Sequence, residues 1–199
     1  IEIFQEGLRI PIIKFSENGK FNQAIWDMIS LNVRTPDEVL GDLQAQIASC
    51  KSGEEGMCEL FDRYGVKYIL SYGQQIQDYA EKLTRAEIVD FPNGEFCFTD
   101  HIDGIGENPE TIIINTKVII ADDSITVDFE GTSKQVPAGI NPSFPFTKAA
   151  CYAALRSVME SDIPNCHGFT IPIIVKAPLG SLVNPKFPAP CGARGITGY

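Results

Sequence analysis

At Phe91-Pro92-Asn93-Gly94 the apolar residues of this chain change their spacing, from every third or fourth position to every second. A helical stripe and a strand face have different periods, so the two parts must form different kinds of layer. Upstream, Ile25, Met28 and Ile29 begin an apolar stripe at helical spacing. Thr35-Pro36-Asp37-Glu38 reads as a helix start, with a capping hydroxyl, proline at the first position and acids in the first turn. That helix carries Val39, Leu40, Leu43, Ile47 and Cys50, and Ser52-Gly53 is expected to end it. A short helix through Met57, Leu60 and Phe61 is expected to follow and to stop at Tyr64-Gly65. In a longer third helix Ile69, Tyr72, Ile76, Tyr79, Leu83 and Ile88 form a stripe expected to be core. Gln74, Gln77, Asp78, Glu81, Lys82 and Arg85 are expected to face water. The pattern predicts a packed helical hairpin region.

Downstream, Phe96 and Phe98 alternate with Glu95, Cys97 and Thr99. Two further strands, Ile112 to Ile120 and Ser124 to Phe129, are joined by the turn Ala121-Asp122-Asp123-Ser124. A glycine- and proline-rich link from Gly131 to Pro145 leads to a helix over Phe146 to Met159, and Phe169 to Lys176 reads as another strand. The segment before Phe21 reads as a leading strand or loop closed by the turn signal Asn18-Gly19. The expected fold is α+β: residues 1–91 mainly helical, residues 92–199 β-rich and largely antiparallel with one further helix, together part of one domain.

Charge and composition exclude several classes. The net charge of −10 leaves no basic surface for nucleic acid or an anionic membrane. Apolar runs such as Ile112-Ile113-Ile114 are far shorter than the roughly 20 residues that cross a bilayer. No basic start, apolar run and cleavage site mark a secretory signal, so a cytoplasmic location is expected. An opening at Ile1 without Met reads as a beginning inside a domain. Six cysteines without a C-x-x-C pair read as scattered reduced thiols.

Chemistry-bearing patterns are few. The stretch Asp100-His101-Ile102-Asp103-Gly104-Ile105-Gly106 is either a tight interstrand turn or a place where Asp100, His101 and Asp103 meet a metal or a substrate. Asp128-Phe129-Glu130-Gly131-Thr132-Ser133 ends a strand in a glycine and two hydroxyls, without the lysine and helix of a nucleotide-binding loop. Cys166-His167 are adjacent, which points their side chains apart and disfavours a catalytic dyad.

Longer strings carry a resemblance. EIFQEGLRIP, NVRTPDEVLGDLQAQIA, DYAEKLTRAEI, the DGIG loop, TVDFEGTS followed by Asn141-Pro142, and APLGSLVNPKFPAP occur in this order. They resemble the B-type component of hydantoinases and 5-oxoprolinases, whether a separate subunit or a domain, across essentially the whole chain. The ending CGARGITGY is similar to the N-methylhydantoinase-like version.

The resemblance implies one component of an ATP-dependent cyclic amidase that opens a lactam or imide ring of the 5-oxoproline or hydantoin type. It implies a hetero-oligomer with an A-type subunit or domain, which binds ATP with Mg and phosphorylates the ring carbonyl. A divalent metal is implied for the complete enzyme, but the family's histidine- and aspartate-rich motifs lie upstream of EIFQEGLRIP. No metal ligand, and no cofactor, is therefore carried onto this segment, which alone is expected to be inactive. Asp103 with Gly104, Asp128 with Gly131, Thr132 and Ser133, and Asn184 with Pro185 match family motifs. Of these, Asp103, Asp128, Thr132 and Asn184 are expected to shape a substrate pocket or subunit contact. The bland alternative is that Asp128 and Asn184 satisfy backbone groups in turns. Two other readings stay open: a component of an ATP-dependent acetone or acetophenone carboxylase, and a truncated, non-catalytic interaction module.

Overall fold

The computed structural model describes residues 2–160 and 162–193, and the Arg-containing end of the chain lies outside them. Two compact units divide the chain, one of residues 7–72 and one of residues 1–6 with 73–199.

In the unit of residues 7–72, a small hairpin pairs β1 (Ser16–Glu17) with β2 (Lys20–Phe21). Its Asn18-Gly19 turn has both residues at positive φ, 52° and 74°, the type I′ geometry whose twist suits a two-residue hairpin. Helix α1 (Gln23–Asn32) buries Ile25 and Ile29 and packs on α2 (Pro36–Tyr64), which supplies the expected helix-on-helix pairing. Trp26 gathers Phe15 and Phe21 at ring separations of 5.8 and 6.3 Å.

Two helical expectations are corrected. Ser52-Gly53 does not end a helix, because α2 runs unbroken through it to Tyr64. A helical glycine costs only about 1 kcal/mol relative to alanine, and the neighbouring Lys51, Glu54 and Glu55 favour continuation. The expected core stripe on α3 (Val66–Val89) is half right. Leu83 and Ile88 join the core, but Tyr72, Ile76 and Tyr79 are exposed. The buried face runs instead through Ala80, Thr84 and Ile88, all at 0% exposure, with the Thr84 hydroxyl donating to the Ala80 carbonyl at 2.8 Å. Periodicity locates the greasiest side of a helix, whereas close packing selects small residues.

The larger unit is built on a four-stranded mixed sheet in the order β3-β4-β5-β6. Strands β3 (Gly94–Ile102), β4 (Ile112–Ala121) and β5 (Ser124–Asp128) are antiparallel, and β6 (Ile173–Lys176) lies parallel to β5. A tight hairpin cannot join a parallel pair, so the chain between β5 and β6 crosses over through α4 (Phe144–Val158). The expected strand over Phe169 to Lys176 is corrected at its start, where His167–Thr170 form a 3₁₀ turn. One sheet face carries Ile125, Val127, Phe129, Ile173 and Val175 into a core shared with Ala80 and Ile88 of α3 and with Cys151, Tyr152 and Leu155 of α4. Helices on one face of a largely antiparallel sheet make the α+β architecture that the change of period requires.

Close approach has a visible cost in sequence. A Cβ on Gly168 would overlap the Gln77 carbonyl, and the Gly168 amide donates to the Gln77 side chain at 2.6 Å. Arg85 bonds Glu81 at 2.6 Å and Asp123 at 3.1 Å, tying α3 to the β4–β5 turn, and these carboxylates raise its pKa.

Candidate functional site

The β5 strand leaves β4 after the Lys117–Asp128 pair. Half of β4, toward Ile112, would then lack a partner on that side. The GTS segment takes over with side chains. Ser133 accepts the Ile113 N–H through Oγ at 2.9 Å and returns its own N–H to the Ile113 carbonyl at 2.9 Å. Thr132 Oγ1 accepts from the Asn115 N–H at 3.1 Å and donates to the Asn115 carbonyl at 3.0 Å. The Asn115 side chain donates to the Gly131 carbonyl at 2.9 Å and accepts from Thr99 at 2.7 Å.

The same segment then meets the LVNP tail. Leu182 N–H donates to the Ser133 carbonyl at 2.8 Å, and Gln135 N–H to the Gly180 carbonyl at 3.0 Å. Gln135 further clasps the backbone of Lys186, accepting its N–H at 2.6 Å and donating to its carbonyl at 3.2 Å. Asn184 donates to the Ala177 carbonyl at 2.9 Å and holds the turn at Gly180 through its own carbonyl, which accepts at 2.8 Å. Between the two segments lies an open cleft of about 440 Å³ lined by Thr132, Lys134, Gln135, Leu179, Ser181 and Lys186 among others.

Of the four residues expected to shape a site, Thr132 and Asn184 therefore belong to segments that fold against each other. Asp128 stands at the end of β5 and accepts the Glu130 N–H at 2.9 Å. Asp103 is exposed in the loop after β3, beside Gly104, where a Cβ would overlap the backbone of Pro109 and Glu110.

The DHIDGIG stretch is not all loop: Asp100, His101 and Ile102 belong to β3. Neighbours on a strand point to opposite faces, so Asp100 and His101 cannot turn to one metal. Among the described residues no three His, Cys, Asp or Glu side chains converge as a metal site, and the residues present do not fit the implied ion. His167 is bonded by Thr170 at 3.1 Å, and Cys166 contacts the Ile76 carbonyl, so the adjacent pair forms no dyad.

Asp100 instead lines an apolar cleft of about 360 Å³ between the sheet and α4, where among the described residues it is the only charged one. Phe98, Thr116, Val127, Phe146, Cys151 and Leu155 are among its walls. Burial pushes the Cys151 thiol up to about 11, which makes it a packing group and not a nucleophile at neutral pH.

One organising residue escaped sequence reasoning. Asn141 is fully buried: its amide nitrogen lies 2.8–2.9 Å from the carbonyls of Val136, Ala138 and Pro190, and its Oδ1 accepts from Val136 N–H at 2.9 Å. Its signal in the sequence is Asn141-Pro142, one of the pieces that carry the resemblance, but nothing there gives it this role. Likewise, Glu6 of the EIFQEGLRIP string accepts the amides of Cys191 and Gly192 at 2.7 and 2.5 Å. Distant matching strings are thus neighbours in space.

The hydantoinase B/oxoprolinase family model matches residues 1–198. The B-type component of a putative D-/L-hydantoinase from a Pseudomonas species is 33% identical, with all of this chain aligned to 35% of that protein. The crystal structure of an ATP-dependent caprolactamase from Pseudomonas jessenii superposes with a TM-score of 0.88 at 30% identity, covering 96% of this chain and 33% of that one. A nucleotide-free acetone carboxylase superposes with a TM-score of 0.86 at 16% identity, over 97% of this chain and 27% of that one, a likeness of fold alone. The chain spans about a third of the length of these relatives. It belongs to the hydantoinase B/oxoprolinase family.

Proposed function

We propose that this chain is part of the B component of an ATP-dependent cyclic amidase acting on a lactam or imide ring, together with an A-type ATP-binding subunit or domain in the cytoplasm. The observation that supports the reading best is the match of the family model to residues 1–198, with relatives that include an ATP-dependent caprolactamase. No helix of the described residues is long and apolar enough to cross a membrane.

The chemistry needs two components. A ring amide is a poor electrophile, so the A-type partner transfers the γ-phosphoryl group of ATP to the carbonyl oxygen. Water then adds to that carbon and the ring C–N bond breaks to leave an acyl phosphate, which a second water hydrolyses to the carboxylate and free phosphate. This chain would contribute walls and orientation: Thr132 and Asn184 through the paired GTS and LVNP segments, Asp128 through the turn leading into GTS, and Asp103 through the loop after β3. Sites gather on loops that a rigid sheet holds in place.

Asp128→Asn and Asn184→Ala in the intact enzyme test these assignments. Loss of ring-dependent turnover in a folded complex supports them, and full turnover in both variants removes the two residues from the pocket. A requirement for bicarbonate and a ketone in place of a ring would move the protein to the carboxylase branch.

A further inference from the structure

We propose that the open cleft between the GTS and LVNP segments is a binding site for a phosphate-type oxyanion. Two lysines, Lys134 and Lys186, line it, and among the described residues no acidic one does. Neither ammonium forms an ion pair among the described residues. The chain as a whole carries a net charge of −10, so a cleft with only positive groups opposes the surrounding field.

The second observation is independent of charge. Ser181 lines the cleft, is 4% exposed, and its Oγ has no hydrogen-bond partner. Buried hydroxyls without a partner are rare in folded proteins, and a bound water or ion is among the few explanations for them. Ser181 can donate one hydrogen bond and each lysine three, whereas the lining side chains offer no free carboxylate. Such a set repels cations and fits an anion with several acceptor oxygens. Thr132 is a wall and not a donor, because its proton is already given to the Asn115 carbonyl.

The walls are held in advance. Lys134 and Ser181 face each other in an antiparallel bridge, and Gln135 clasps the backbone of Lys186. The aliphatic stem of Lys186 lies over Gly180, 3.6 Å from the position a Cβ would take there. Both lysines are therefore anchored through their backbones on one small frame, and an anion would order their exposed side chains.

The site does not depend on the amidase reading, and its test uses no ATP, partner or ring. Inorganic phosphate is titrated calorimetrically into the full-length protein at constant ionic strength, with chloride as the blank and phenyl phosphate as a monoester arm. Saturable one-to-one binding is expected, weakened roughly tenfold or more in Lys134→Gln/Lys186→Gln and severalfold in Ser181→Ala. Lys117→Gln, on β4 outside the cleft, should bind as the parent does. Tighter binding of phosphate identifies a free-phosphate site, and tighter binding of the ester identifies a phosphorylated small molecule. Ser181→Ala removes a single oxygen and keeps the test valid if the double variant does not fold. No saturable binding by the parent, or unchanged affinity in the cleft variants, overturns the proposal.

Discussion

The hydroxyl of Thr132 lies between the amide and carbonyl of Asn115, accepting from one at 3.1 Å and donating to the other at 3.0 Å. One side chain thus replaces the strand neighbour that β4 loses when β5 turns away. Thr132→Val keeps the shape and leaves both Asn115 groups unpaired in a half-buried place. The expected loss is about 1–3 kcal/mol in chemical denaturation, with Thr132→Ser near the parent. Equal stability of the valine variant would show that water replaces the hydroxyl without penalty.

Asn141 joins two stretches of backbone, at Val136 with Ala138 and at Pro190, from a fully buried position. Asn141→Leu is expected to cost about 3 kcal/mol or more, because the Val136 N–H and several carbonyls lose their partner together. Asn141→Asp should be at least as damaging, since a carboxylate would face carbonyl oxygens. Urea unfolding monitored by circular dichroism measures both.

Gly168 meets the Gln77 carbonyl so closely that a methyl group has no room. Gly168→Ala should therefore destabilise by about 1–3 kcal/mol through forced separation of α3 from the His167–Thr170 turn. A melting temperature within a degree of the parent would contradict this contact.

Cys151 should be protected from alkylation. Its thiol is raised by burial from 9.0 to about 11, whereas Cys50, Cys58 and Cys97 are exposed. Iodoacetamide at pH 8 followed by peptide mass spectrometry should modify those three and spare Cys151 in the folded protein. The folded state holds the Cys151 proton more tightly than the unfolded state does. Its contribution to stability is thus complete below about pH 9 and is lost as pH rises from about 9 toward about 11.

The two layers and their order are legible because the hydrophobic period changes where the chain passes from α3 to β3. The β4–β5 turn is legible too: Asp122 adopts φ 52°, a conformation that aspartate tolerates. What stays hidden depends on contacts between distant segments. Ser52-Gly53 looks like a helix end, but nothing in a local window reports how well the flanking helix tolerates it. Ala80 and Thr84 form the buried face of α3 because another surface approaches closely there, while Tyr72 and Tyr79 dominate the periodic signal. In the site region, the resemblance points to Thr132 and Asn184, yet only the fold reveals that GTS and LVNP are paired. Lys134 lies outside the matching strings, Ser181 and Lys186 lie within APLGSLVNPKFPAP, and their common cleft emerges only from that pairing.

The cyclic amidase function is decided by phosphate release from ATP by the full-length protein with its A-type partner, offered 5-oxoproline, a hydantoin, caprolactam, or acetone with bicarbonate in turn. Release should be stimulated by a ring substrate without bicarbonate, with one ring opened per phosphate, and should vanish when either component is omitted. Stimulation only by the ketone with bicarbonate, or by no compound in a bound and metal-supplied complex, would contradict that function.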